Sequence, residues 1–160
     1  MALPEKFQLE YTAQDGTRKR PVMLHRAIYG SVERFMGILI EHYTGKFPLW
    51  LSPLQIRIIT VADRHEPYAS ALAQKFKAAG FHCDIDSAGE SVSKKIRNAQ
   101  LTQINYILTV GDAEMEHQTA NLRTRDNVVH GEISIDDFIR KIEVERKERS
   151  PVSPYLSTQS

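Results

Sequence analysis

Glu33 and Arg34 are the residues whose setting asks for chemistry. They open a stretch in which Val32, Phe35, Met36, Leu39 and Tyr43 recur at helical spacing. Ser31 stands where an N-cap belongs and Gly45 where a left-handed stop belongs. A helix apolar nearly all round is expected to be buried, and a charge in a buried first turn needs a partner or a ligand. Just upstream, Val22 to Ile28 is mostly apolar between Pro21 and Gly30, which suits a short buried strand. His25 within it is a core histidine or one ligand of a metal. On spacing alone, local pairing of Glu33 and Arg34 and a core role for His25 are the simpler readings.

These residues must be positioned by the elements around them. Phe7, Leu9 and Tyr11 alternate with Lys6, Gln8 and Glu10, a half-buried strand. Gln14-Asp15-Gly16 turns the chain back through Arg18 to Ile28. Phe47-Pro48-Leu49-Trp50-Leu51-Ser52-Pro53 then forms a stiff connector, with two prolines bracketing an aromatic-apolar turn. From Leu54 the pattern becomes strand, helix, strand, helix. Gln55–Val61 and Ile104–Val110 read as buried strands, and Phe81, Cys83 and Ile85 as a strand with one wet face. Ala69, Leu72, Phe76 and Ala79 mark a helix ended by Gly80, and a second helix runs from Ser91 to Leu101. Ala120, Leu122 and Thr124 read as an edge-type strand turning at Asp126-Asn127 into Val128-Val129. Ser134 and Asp137 suggest an N-terminal box on a last helix with Ile135, Phe138, Ile139 and Ile142 inward. Four i,i+4 pairs, Asp136–Arg140, Asp137–Lys141, Glu143–Lys147 and Glu145–Arg149, fill its charged face. The Ser/Pro-rich segment from Ser150 is expected to be disordered. The fold class is therefore α/β: a mixed, mostly parallel sheet flanked by helices, preceded by a β-hairpin and a helix.

The totals bound the function. With 160 residues and a net charge of +1 the chain has no global basic footprint, so any nucleic-acid contact must come from a local patch. One cysteine excludes an internal disulfide and a multi-cysteine zinc site built from this chain alone. No apolar run is long enough to span a membrane. The ligand crevice of such a sheet lies past the carboxyl ends of its strands, at Asp63-Arg64, Asp86 to Glu90 and Gly111-Asp112 to Glu114. Lys94, Lys95 and Arg97 put positive charge on one helix, and Arg123 and Arg125 point the same way from one strand. Splayed RNA bases and their phosphates need such groups, although a solvated helix face explains Lys94, Lys95 and Arg97 more simply. Arg146, Lys147 and Arg149 are a weaker candidate for RNA backbone contact.

The string Gly30-Ser31-Val32-Glu33-Arg34 resembles the third signature motif of class II aminoacyl-tRNA synthetases. Its flanks, Pro21-Val22-Met23-Leu24-His25-Arg26-Ala27 and Phe35-Met36-Gly37-Ile38-Leu39, are similar to those of threonyl-tRNA synthetases, as is the Phe-Pro-x-Trp-Leu-x-Pro connector. The resemblance runs from about Leu3 to Arg149. It implies that residues 1–47 are the end of a catalytic domain, 48–53 a linker, 54–149 an anticodon-binding domain and 150–160 a tail. It further implies that Arg34 and Ser31 belong to the ATP and adenylate pocket. His25 would be one of three zinc ligands, the other two missing from this chain, which also lacks the first two signature motifs. The intact enzyme would use Zn2+, and Mg2+ with ATP, to activate threonine and attach it to tRNA(Thr), as a cytoplasmic homodimer. The piece alone would be a monomer, inactive, and without a cofactor. Arg97, from the Lys95-Ile96-Arg97 phrase, Glu114 and Arg123 carry over as anticodon-binding residues: Glu114 accepts from a base edge, and Arg123 stacks on or binds a base. The chain departs from the family at Asp86-Ser87-Ala88-Gly89-Glu90-Ser91, where a basic and a polar reader are missing, and at Asn105, where a proline is usual. The alternative is a non-catalytic RNA-binding accessory module using the same domain. A flavodoxin-like small-molecule binder has little support, because no Gly-rich loop follows Gln55–Val61.

Overall fold

The computed structural model describes residues 3–155. The chain divides into two compact units, Met1–Leu39 and Ile40–Ser160. In the first, α1 (Leu3–Lys6) is followed by a minimal hairpin, β1 (Tyr11–Thr12) with β2 (Arg18–Lys19), paired antiparallel. Its turn is held by the Asp15 carboxylate, which accepts from the Thr17 N–H at 3.0 Å, and by Gly16 at φ +75°. Two expectations fail here. The strand expected from Phe7 shrinks to the two residues of β1, and Val22–Ile28 forms no strand. Extended backbone needs a neighbouring ladder, and two-residue strands supply little of one. The apolar side chains accordingly stand open: Leu24 is 81% exposed and Ile28 74%. α2 (Val32–Tyr43) forms as expected but buries none of its residues, so Glu33 and Arg34 do not sit in a dry first turn. The division between the units falls within α2.

The second unit is built on a five-stranded sheet, β3 (Ile56–Thr60), β4 (Cys83–Asp86), β5 (Tyr106–Val110), β6 (Thr119–Thr124) and β7 (Val129–Ser134), in the order β4-β3-β5-β6-β7. β3 pairs parallel with β4 and β5, and β6 pairs antiparallel with β5 and β7. β3 is covered on both faces, which is why it reads as an unbroken β-branched run. Ile56 and Ile58 pack with α3 (Glu66–Ala78) and α6 (Ile135–Glu148) through Leu72, Phe76, Phe138 and Ile142. Ile59 turns to the other face, where α4 (Val92–Leu101) supplies Ala99 beside Ile104 and Ile107. Gly80, at φ +79°, ends α3 as expected.

β6 is not an edge strand. Its strict alternation buries Ala120, Leu122 and Thr124 against the main core and leaves Thr119, Asn121 and Arg123 half-open. Alternation reports one open face, and the open edge itself belongs to β7. A short helix that the sequence did not announce, α5 (Asp112–His117), links β5 to β6; its first backbone donor, Gly111 N–H, is capped by the Glu114 carboxylate at 3.0 Å. On α6 the expected box does not close, because the Ser134 side chain makes no cap bond. Among the described residues none of the four i,i+4 pairs forms: Asp136 reaches Lys75 of α3 at 2.6 Å, and Asp137 pairs with Arg140.

The segment after α6 is ordered through Tyr155, against expectation. The Ser153 hydroxyl meets the buried Tyr106 hydroxyl at 2.5 Å, and the Tyr155 ring packs on Tyr106 and Phe138. Apolar burial outweighs the Ser/Pro composition there. The part of the expected disorder beyond Tyr155 lies outside the described residues. The connector is also tied down: the Phe47 carbonyl accepts from Asn105 Nδ2 at 3.0 Å and from Arg125 Nη1 at 2.5 Å.

Candidate functional site

The α4 face of the sheet is only half covered. Ile59 and Ile107 lie under the helix, but the same two rows continue into open strand. Ile59 aligns with Thr109, Asn121 and Glu132, and Ile107 with Arg123. Thr109, Asn121 and Arg123 are half-buried and Glu132 is exposed. This strip of amide, hydroxyl and guanidinium groups on a rigid sheet offers donors and acceptors to a planar polar ligand without competing for the core.

Two of the three sequence-selected readers, Arg97 and Arg123, lie on either side of Asn127 in the turn after β6. Arg97 is exposed on α4 and lines a depression with Gln100, Leu101, Arg125, Asp126 and Asn127. Arg123 reaches the same region from β6, where its Nη1 donates to the Asn127 side-chain oxygen. A bulge between Leu122 and Arg123 shifts the β7 register at this point, and Gly131 beside it takes φ +78°; bulges of this kind re-aim neighbouring side chains. Glu114 is not brought to the pair. It sits past the carboxyl end of β5, half-buried, where it caps α5.

Several basic residues expected in the interface are used internally. Lys95 is buried, 3% exposed, and its ammonium donates to the Thr60 carbonyl at 3.0 Å, holding α4 to the end of β3. Lys94 pairs with Glu90 at 2.8 Å. Arg125 lies beyond the end of β6 and serves the connector rather than pointing with Arg123. Arg146 donates to the Gly80 carbonyl at 2.7 Å and stacks over Phe81, while Arg149 lies over Trp50. Of the crevice residues, Arg64 and the buried His65 converge on Asp112 at 2.9 Å each. Arg64 first, then His65, hold that carboxyl well below the usual carboxylate range.

Sequence reasoning missed His117. Its Nδ1 lies 2.9 Å from the Glu132 carboxylate, which also accepts from the Thr119 hydroxyl; Glu132 raises the histidine's pKa. The alternating polar residues of β6 were its only signal. Asn105, the departure from the family proline, uses its amide on the connector.

In the first unit Ser31 is the N-cap of α2. Its hydroxyl oxygen accepts from the Arg34 N–H at 3.3 Å and its hydroxyl donates to Glu33 at 2.7 Å, holding that carboxyl below its ordinary pKa. Arg34 and His25 are exposed. Among the described residues no three His, Cys, Asp or Glu side chains gather to hold a metal. Among the same residues no helix is long and apolar enough to cross a membrane.

Comparison with known proteins places these observations. The profile of the anticodon binding domain family matches residues 55–145. The chain is 74% identical over 159 residues to a threonine–tRNA ligase of Protochlamydia amoebophila, covering 99% of this chain and 24% of that protein. It is 54% identical over 156 residues to the threonine–tRNA ligase of Chlamydia felis, covering 98% of this chain and again 24% of the relative. Thus the chain spans about a quarter of the length of the curated relatives it matches. Among solved structures, the RNA binding domain of threonyl-tRNA synthetase from Cryptosporidium parvum superposes with a TM-score of 0.68 at 36% identity, covering 89% of this chain and 36% of that one.

Proposed function

The chain belongs to the anticodon binding domain family through residues 55–145, and from that premise we propose that its second unit reads the anticodon loop of tRNA(Thr) for a threonine–tRNA ligase. The observation that carries the reading is the half-open α4 face, where Asn121 and Arg123 lie on strand and Arg123 bonds Asn127, which lines a depression with the exposed Arg97. RNA loops are recognised by bases splayed onto such surfaces, with arginines stacking on them or meeting phosphates. In this reading Arg97 and Arg123 engage the loop, and Glu114 accepts from a base edge past the end of β5. Residues 1–47 act as part of a catalytic domain, 48–53 as the linker and 54–149 as the anticodon reader.

The intact enzyme, in the same proposal, activates threonine with ATP in the cytoplasm as a homodimer. Arg34 would supply fixed positive charge to the nucleotide and Ser31 would order the start of α2 beneath it. Those two residues are a fraction of a synthetase site, so this chain alone is expected to show no threonine-dependent ATP–pyrophosphate exchange.

Titration with an anticodon stem-loop of tRNA(Thr), and with the same hairpin carrying altered anticodon bases, tests the reading at two salt concentrations. Loss of about tenfold or more in affinity on changing the anticodon, of order 1.4 kcal/mol, is the expected result. Equal, salt-sensitive binding to both hairpins would leave only backbone electrostatics and favour a general RNA-binding module instead.

A further inference from the structure

Asn127 bonds Arg123 and lines the same depression as Arg97. It stands in the turn between β6 and β7 at φ +69°, a left-handed conformation that asparagine, aspartate and glycine tolerate better than other residues. Its side-chain oxygen accepts from Gln100 Nε2 of α4 at 2.7 Å and also from Arg123 Nη1 of β6. The Arg123 Nη1 is in addition 3.5 Å from the Asn127 backbone carbonyl. Both lone pairs of the amide oxygen are therefore used, one on the helix and one on the strand. The same residue lines the depression that contains Arg97. The register shift beside Arg123 and the left-handed turn together bring this oxygen onto a guanidinium four residues earlier in the chain.

We infer that Asn127 is a positioning residue for RNA recognition: it fixes the Arg123 guanidinium against α4, so that the arginine meets a base in one orientation. The inference rests on the anticodon-reading proposal above. An arginine side chain free in solvent surrenders considerable rotamer freedom when it is ordered by a ligand. A guanidinium already held by a neutral amide keeps its full charge and its remaining donors, and loses less on binding. A carboxylate in place of the amide would hold the same donors but neutralise part of that charge.

The test uses the whole chain and the two hairpins described above. Asn127→Gly keeps the left-handed turn and removes the side-chain oxygen. Asn127→Asp keeps both the turn and the oxygen. Asn127→Gly is expected to lose roughly tenfold in discrimination between the hairpins, the scale of one charge-assisted hydrogen bond, with the salt dependence of binding retained. Asn127→Asp is expected to recover most of that discrimination. Combined with Arg123→Ala, Asn127→Gly is expected to have no further effect, because it acts through the arginine. Wild-type discrimination in Asn127→Gly, or an equal loss from Asn127→Gly in the presence and absence of Arg123, would overturn the inference and leave Asn127 a turn residue. A thermal melt of each variant separates loss of fold from loss of reading. A wild-type chain indifferent to the anticodon would overturn the underlying proposal and this inference together, and is distinguished from failure of the inference alone by the wild-type titration.

Discussion

Lys95 and Arg97, two residues apart on one helix, show how far residue type falls short of role. Both are long cations on an amphipathic helix that the sequence shows clearly. Lys95 is buried with its ammonium on the Thr60 carbonyl, whereas Arg97 is exposed and lines the depression that also holds Asn127. Removing the first leaves a buried carbonyl without its donor and exposes a gap between α4 and β3. Lys95→Ala is therefore expected to lower unfolding stability by about 1–3 kcal/mol. Arg97→Ala is expected to change stability by no more than about 0.5 kcal/mol while weakening hairpin binding. Urea titration of both variants, set beside their RNA affinities, checks the assignment. Comparable destabilisation by the two substitutions would count against it. Lys95 and Arg97 could be exchanged in the sequence without changing the hydrophobic pattern, so their roles become visible only when the end of β3 is placed.

At the scale of elements, what was legible is what is local. Gly80 ends α3, Ser31 caps α2 and the β-branched run of β3 marks a strand, because each is written in neighbours within a few residues. What was illegible depends on distant partners. Val22–Ile28 has strand composition and no ladder, and β6 has edge-like alternation in an interior position. The charged face of α6 reads as a row of i,i+4 pairs, yet Arg146 crosses to α3, donating to the Gly80 carbonyl at 2.7 Å and the Ala79 carbonyl at 3.1 Å with its guanidinium over Phe81. It thereby satisfies the carbonyls at the end of α3 and adds a cation where that helix dipole is negative. Arg146→Ala is expected to cost about 1–2 kcal/mol of stability with unchanged RNA affinity. A loss of hairpin binding with stability intact would return Arg146 to the RNA-contact role suggested by its charge.

At the scale of the folded second unit, the connector and the segment after α6 converge on one buried polar cluster. Tyr106 donates to the Glu145 carboxylate at 2.6 Å and meets Ser153, while Asn105 and Arg125 hold the Phe47 carbonyl. Burial pushes the Glu145 carboxyl up to about 7, with the Tyr106 hydroxyl and Arg125 opposing it in part. An acid whose folded pKa is raised favours the folded state while it stays protonated. Its contribution is fully present below the ordinary glutamate value near 4.5 and is lost as pH climbs through about 7. Above that, the fold must keep a carboxylate in a site that disfavours charge, at a cost of order 1–3 kcal/mol. Glu145→Gln keeps an acceptor for the Tyr106 hydroxyl and removes the titration. The variant is therefore expected to match the wild type near pH 5 and to exceed it in stability at pH 8. The gap should open between those values. Other titrating groups, such as His117, whose pKa Glu132 raises, are common to both proteins and cancel in the difference. Urea unfolding of the two chains from pH 5 to 8 measures it. Parallel stability curves would show instead that Glu145 ionises without cost, and that the polar cluster is wetter than its burial implies.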